Sequence, residues 1–287
     1  MEFFLISTDH LCEQLWFKDD EDFKAGMNFV AIIAFTTGIT ILAFSLMSNH
    51  VHFVVQATSE EAQAFINRFK QLYANFYQRK YGVKKFLRRN GVNCQRLDMT
   101  GESLERGIAY TQMNPVAANI CLNASGYRWG TGDCFFRDKP VKGQRLGNLS
   151  FRKQSKILHS RIRLNQDWIL SDDGYILPES YIPIQFVERV FRTPSRMNYF
   201  LNNSSKAKAR MSQPEAALPS FRDQTIMSAV PEICRSLFRI ENQNLLDEQR
   251  QAELIRQIRY RFSADIHQIA RVLGKSYSEI TRLLDSF

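Results

Sequence analysis

His50, Val51 and His52 place two imidazoles two residues apart at the head of the apolar run Phe53-Val54-Val55. On a strand, successive side chains point to opposite faces, so residues i and i+2 share one. The β-branched and aromatic run favours a strand, which aims both histidines the same way. Two imidazoles on one face supply half of a divalent metal site. The pair alone fits two locally hydrogen-bonded strand-end histidines equally well, because short motifs often match by chance.

The elements that must position these histidines are legible around them. Phe3–Ser7 reads as a first strand. Asp19 or Asp20 is placed to cap a helix whose apolar residues Phe23, Met27, Val30, Ala31 and Ala34 recur at helical spacing. The charge-free stretch from Phe29 to Met47 is long enough to span a bilayer. Gly38 divides it, however, and no basic cluster flanks it. It is therefore read as a helix followed by a buried strand, Ile39–Leu46, with a turn at Ser48-Asn49 leading into the histidine strand. Thr58 and the acids after it open a helix that runs to Tyr81 and stops at Gly82. Val92–Leu97 is a further strand. Thr100 or Ser103 starts a helix expected to end near Met113, because the residue before Pro115 is driven from helical angles.

The 287 residues carry a formal net charge of +9, which favours a polyanionic partner, nucleic acid before membrane. The excess is concentrated. Arg68, Lys70, Arg79, Lys80, Lys84, Lys85, Arg88 and Arg89 fall in a stretch with no Asp or Glu, interleaved with Tyr73, Phe76, Tyr77, Tyr81 and Phe86. A solvated helix face usually mixes both signs. A one-sign run with aromatics suits a nucleic-acid strand, with cations for phosphates and rings for bases. The five cysteines are odd in number and form no Cys-x-x-Cys pair, as expected of a reduced, cytoplasmic protein without a zinc ribbon or disulfide framework. Glu2, Asp9 and Glu13 do not suit a secretory signal.

The order of parts resembles the single-tyrosine HUH transposases, IS200-like, and within them the branch associated with repetitive extragenic palindromes. An apolar strand leads to Asn49-His50-Val51-His52, then a long basic helix, then Tyr110 four residues before Asn114-Pro115-Val116-Ala117-Ala118. The resemblance covers about residues 1–135. It implies an α+β, ferredoxin-like antiparallel sheet with helices on one face. It also implies that His50 and His52 bind Mg²⁺ or Mn²⁺, that Tyr110 is the nucleophile, and that Asn114 is the third ligand, with Gln112 as second choice. Residues i and i+4 share a helix face, so Tyr110 and Asn114 can both look toward a metal. The implied reaction nicks and rejoins single-stranded, hairpin-forming DNA through a 5′-phosphotyrosine. A phenol is a weak acid, so the site must assist loss of its proton. One departure stands out: where relatives carry a Trp-Gln-x-Arg-Phe-like segment, this chain has Phe86-Leu87-Arg88-Arg89-Asn90-Gly91-Val92. Two other readings compete, a DNA-binding protein that has lost catalysis and a nickase of the replication-initiator or relaxase type.

Three regions are expected: a catalytic domain over 1–135, a mostly helical accessory region over 136–245, and a DNA-binding module over 246–287. In the accessory region Gln185–Phe200 looks helical with a break at Pro194, and Asn202–Ser220 has linker composition. In the last region Ala270, Gly274 and Ile280 have the spacing of a helix-turn-helix. Its last helix, with Lys275, Ser276, Tyr277, Ser278 and Arg282, is expected to contact duplex DNA. The chain is expected to act as a monomer or homodimer.

Overall fold

The computed structural model describes residues 2–98, 101–138, 140–206, 221–262 and 264–286. Two expectations fall outside these: Thr100 as a helix start, and the 207–220 part of the linker. An antiparallel sheet of four strands organises the first half. Its order is β2 (Thr40–Met47), β3 (His50–Ala57), β1 (Glu2–Thr8), β4 (Val92–Leu97).

The sheet has two dissimilar faces. Val51, Phe53 and Val55 of β3 point to one side with Phe44 and Leu46 of β2 and Phe4 and Ile6 of β1, into the main core. Helices α1 (Asp20–Thr37) and α2 (Ser59–Tyr81) close that core. Asp19 caps α1 by accepting from the Asp22 amide, and Thr58 and Glu61 form a capping box on α2. Both helices end at a glycine in the left-handed region, Gly38 at φ 68° and Gly82 at φ 72°. Gly38 therefore splits the charge-free stretch into a helix and a strand. Among the described residues, no helix is long and apolar enough to cross a membrane.

The opposite face carries the histidines. Register places Ser45, His52, Ser7 and Asn93 side by side across β2, β3, β1 and β4, a polar row on a sheet otherwise floored by Leu42, Ala43 and Val54. Helix α3 (Ser103–Ala117) lies over this face. The antiparallel α+β sheet is as expected, but helices cover both faces, because β3 is apolar on both sides beyond His52.

Two local outcomes differ from expectation. Helix α3 runs through Pro115 to Ala117 and does not end at Met113. The reason is Asn114. A proline cannot donate to the carbonyl four residues back, here Thr111 O; the Asn114 side-chain amide donates to Thr111 O at 3.4 Å in its place, and to Tyr110 O at 2.9 Å. The segment after α3 then adds to the sheet: Trp129 O accepts from the Leu46 amide, and the Thr131 amide donates to Phe44 O. Gly130 is required there, since a Cβ would stand 2.5 Å from Phe44 O. Tyr127 and Trp129 anchor this edge, through a Tyr127 hydroxyl bond to Leu46 O and a Trp129 ring stacked on Phe23.

Residues 140–206 include only a little helix before residue 184. A two-residue ribbon, β5 (Gln144–Arg145) with β6 (Ile169–Leu170), and a short α4 (Phe151–Ile157) precede α5 (Ile184–Phe191) and α6 (Pro194–Asn203). Leu146, Leu158, Leu170 and Ile176 pack into the α1–α2 core, whereas Phe191 and Phe200 pack against the α3 face. A separate core joins α7 (Asp223–Phe238), α8 (Glu248–Phe262), α9 (Ile266–Leu273) and α10 (Tyr277–Ser286). Ala270 and Ile280 are buried on either side of the Gly274 turn, as their spacing anticipated. Helix α7, whose Ile226, Val230 and Ile233 belong to this core, went unread in the sequence.

Candidate active site

His50 and His52 sit at the end of β3, both buried. The Asn49 amide nitrogen donates to Leu11 O at 3.0 Å, which turns its oxygen toward His50 Nδ1, 2.9 Å away. An oxygen there requires a proton on Nδ1, so the lone pair of His50 lies on Nε2. That Nε2 and both ring nitrogens of His52 are buried without a hydrogen-bond partner. Burial, then the positive charges of its neighbours, holds His50 well below the usual histidine range. His52 is lowered to about 3 by burial first, then by the charge of Lys206 and by His10. Both rings are therefore neutral at pH 7, the form that binds metal.

These residues fit a divalent ion in part. Orphaned, neutral, buried imidazole nitrogens are what two of its ligands must be. Among the described residues, no group of three His, Cys, Asp or Glu side chains is placed to hold a metal. His10 stacks on His50 with ring centroids 3.7 Å apart and planes 14° apart. Lone pairs lie in the ring planes, so parallel rings do not aim them at one point. A third protein donor would come from outside those four residue types, as the Asn114 amide oxygen would. The Asn114 nitrogen is already engaged by the helix backbone, leaving Oδ1 as the atom available for that role.

Tyr110 comes to the histidines from α3, with its ring edge-on to His52 at a centroid distance of 5.6 Å. Gly107, one turn earlier, lets the helix approach closely, because a Cβ there would stand 2.6 Å from Leu97 Cδ1. Gln112 points elsewhere, donating to Thr131 O. Lys206 places its ammonium 4.8 Å from the centroid of the Tyr110 ring. Sequence reasoning missed Lys206, which no local pattern marks. It also missed Asn49 as a partner of His50, although a side-chain amide next to a histidine in a tight turn was the available signal.

The basic stretch is only partly where the sequence put it. Helix α2 lies across the sheet face opposite His52 and Tyr110, so it does not stand between them. The aromatics of the basic stretch are corrected too. Tyr73, Phe76, Tyr77 and Phe86 are core residues, 0–6% exposed, and their rings are spent on Trp16, Phe17 and one another, with none left for bases. Lys80 is committed to Asp19 and Asp22 at 2.6 and 2.7 Å. The Lys70 ammonium donates to Asn90 O. Arg68, Arg79, Lys84, Lys85, Arg88 and Arg89 are exposed. The loop carrying the last four is fastened at Asn90 and Gly91 to Asp9, beside His10, so this part of the charge does lie at the histidine end of the sheet.

In α10 the expected DNA-facing groups have partners within the chain. Lys275 pairs with Glu279, and Arg282 with Glu248 at 2.8 Å. Ser276 caps the helix by accepting from the Glu279 amide, and its hydroxyl lies 3.1 Å from that of Ser278. The Tyr277 amide donates to Glu13 of the sheet domain.

Residues 15–92 match the family model described as "Transposase IS200 like". That span carries both histidines and α2 but stops short of Tyr110. One solved structure, described as "Structure of the REP associates tyrosine transposase bound to a REP hairpin", is similar at 12% identity and a TM-score of 0.35, over 45% of this chain and 76% of that one. No curated protein matches the chain. The resemblance drawn from the motifs is borne out over the 15–92 span.

Proposed function

We propose that this chain is a DNA strand transferase of the single-tyrosine HUH type, acting on single-stranded DNA that folds into a hairpin. The observation that carries the reading is Tyr110 standing edge-on to His52, whose two ring nitrogens are buried and unpaired. The family match over 15–92 supports it. His50 through Nε2 and His52 would hold a Mg²⁺ or Mn²⁺ ion, with Asn114 Oδ1 as the third protein donor. Bound there, a divalent ion polarises and orients a scissile phosphate.

The chain's own groups do the rest. The Tyr110 oxygen attacks phosphorus in line, forming the P–O bond of a 5′-phosphotyrosine. The bond to the 3′ oxygen breaks, and that oxygen leaves as a hydroxyl after taking up a proton. The phenolic proton passes to solvent in the same step, with the Lys206 ammonium 4.8 Å from the Tyr110 ring centroid. A DNA 3′-hydroxyl then attacks the phosphotyrosine and releases Tyr110, so no external energy source is needed. Exposed Lys84, Lys85, Arg88 and Arg89 supply phosphate contacts at this end of the sheet. A duplex contact by α10 would first have to break the Lys275–Glu279 and Arg282–Glu248 pairs and release its N-terminus from Glu13.

The test is incubation with labelled single-stranded hairpin DNA and Mn²⁺. Wild-type protein is expected to nick it and the Tyr110→Phe variant to leave it intact. Binding without nicking in either metal would favour a non-catalytic DNA-binding protein. Nicking without joining to a second DNA end would favour a simple nickase.

A further inference from the structure

A cleft of about 420 Å³ opens beside Tyr110, within the ~300–1,000 Å³ typical of sites that enclose a small organic group. Leu5 and Ser7 of β1 and Asn93 and Gln95 of β4 form its floor. The Gly107–Tyr110 turn of α3 lies over it, and residues 203–205 close one side. Ser7 pairs with His52 on one flank and Asn93 on the other, so the floor begins one strand spacing, roughly 5 Å, from the histidines.

The lining suits one class of ligand. Leu5 and Leu97 offer an apolar surface on which a flat ring can lie. Asn93 and Gln95 are exposed carboxamides, each both donor and acceptor. Such groups read the edges of bases in pairs of hydrogen bonds. Arg106 lines the cleft but is paired with Glu102 at 3.3 Å, so the charge for a phosphate beside a bound base comes from Lys206, which stands over the Tyr110 ring. No carboxylate lines it among the described residues.

We propose that this cleft is a nucleobase pocket, which takes one unpaired base of the DNA strand next to the phosphate that Tyr110 attacks and thereby sets where the strand is cut. The proposal rests on the reading of Tyr110 as nucleophile for that position, but the pocket itself is tested by binding without chemistry. Fluorescence anisotropy on the full chain, in metal-free buffer, would compare twelve-nucleotide homopolymers of deoxyadenosine, deoxycytidine and thymidine. Wild type is expected to prefer one of them by about fivefold or more, the discrimination that one bidentate base contact provides. The Asn93→Ala/Gln95→Ala double variant is expected to bring all three within about twofold while keeping wild-type affinity for the weakest, which phosphate contacts set. Both positions are exposed on the edge strand β4. Should the double variant nonetheless melt early, Gln95→Glu keeps the side-chain shape and should weaken the preferred homopolymer by about fivefold. Equal binding of all three by wild type overturns the proposal, as does a preference that survives these substitutions. A base preference without any covalent adduct would support the pocket and count against the nucleophile. An adduct formed with no base preference would sink the pocket alone.

Discussion

At the scale of single residues, two histidines are kept neutral, buried and pointed by their surroundings. Asn49 fixes the His50 tautomer through one 2.9 Å contact. Partners of that kind typically change metal affinity 10–100-fold when removed, so Asn49→Ala is expected to weaken Mn²⁺ binding by roughly that factor in calorimetric titration. Unchanged affinity would mean that His50 is not a ligand or that Asn49 does not orient it. Burial of His52 also has a pH consequence for the metal-free protein. Its folded value of about 3 lies below the usual histidine value of 6.5. Above pH 6.5 neither state is protonated and the group is neutral to stability. As pH falls from 6.5 toward 3 the unfolded chain takes up the proton and the folded chain resists it. Stability should therefore fall through that window, by on the order of 4 kcal/mol at pH 3. Chemical denaturation of wild type and His52→Gln across the window checks this. A parallel decline in both proteins would assign it to other groups. The histidine pair was legible because a period of two on a β-branched run leaves little freedom. His10 and Lys206 were not, because they reach the pair through loops and distant segments that no spacing encodes.

At the scale of elements, helix α3 is the part most open to test. Its N-terminal half is held close by Gly107, its C-terminal half is kept helical across Pro115 by Asn114, and the edge segment beside it needs Gly130. The two glycines differ in what a methyl group would meet. At Gly107 it would meet the movable end of Leu97, and at Gly130 the fixed carbonyl of Phe44. Gly107→Ala is expected to cost ~1–3 kcal/mol, as overpacking does, and Gly130→Ala more, in thermal melts of each variant. The reverse order would contradict the placement of the edge segment. Asn114→Ala removes the donor that stands in for the missing proline amide and should cost about 1–2 kcal/mol, whatever its role toward metal. The strands and the first two helices were legible down to their caps, because Asp19, Thr58, Gly38 and Gly82 act locally. The continuation of α3 was not, since a side chain overrode the rule for the residue before a proline. The aromatic face of α2 was misread because composition does not say which way a ring points.

For the whole molecule, the sheet domain does not end near residue 135. Asn28, buried in α1, donates to Ile157 O and Gly174 O and accepts from the Ile176 amide. Leu146 and Leu158 complete the core beneath it. Residues 1–135 alone would leave these groups unpaired and exposed, so that fragment is expected to be insoluble or to lack a cooperative melt, whereas 1–206 should melt cooperatively. A stable 1–135 fragment would show that the later residues only decorate the sheet. This dependence was invisible in the sequence because residues 140–182 are largely irregular, and irregular segments carry no periodicity to mark their buried positions.

The proposed reaction joins Tyr110 covalently to DNA. The most direct measurement is mass spectrometry of the wild-type protein after reaction with a single-stranded hairpin oligonucleotide and Mn²⁺, followed by protease and nuclease digestion. A nucleotide adduct is expected on the peptide spanning Gly107 to Arg128, localised to Tyr110, absent from Tyr110→Phe and lost on replacing His52. An adduct on another tyrosine, or cleavage with no adduct at all, would contradict it.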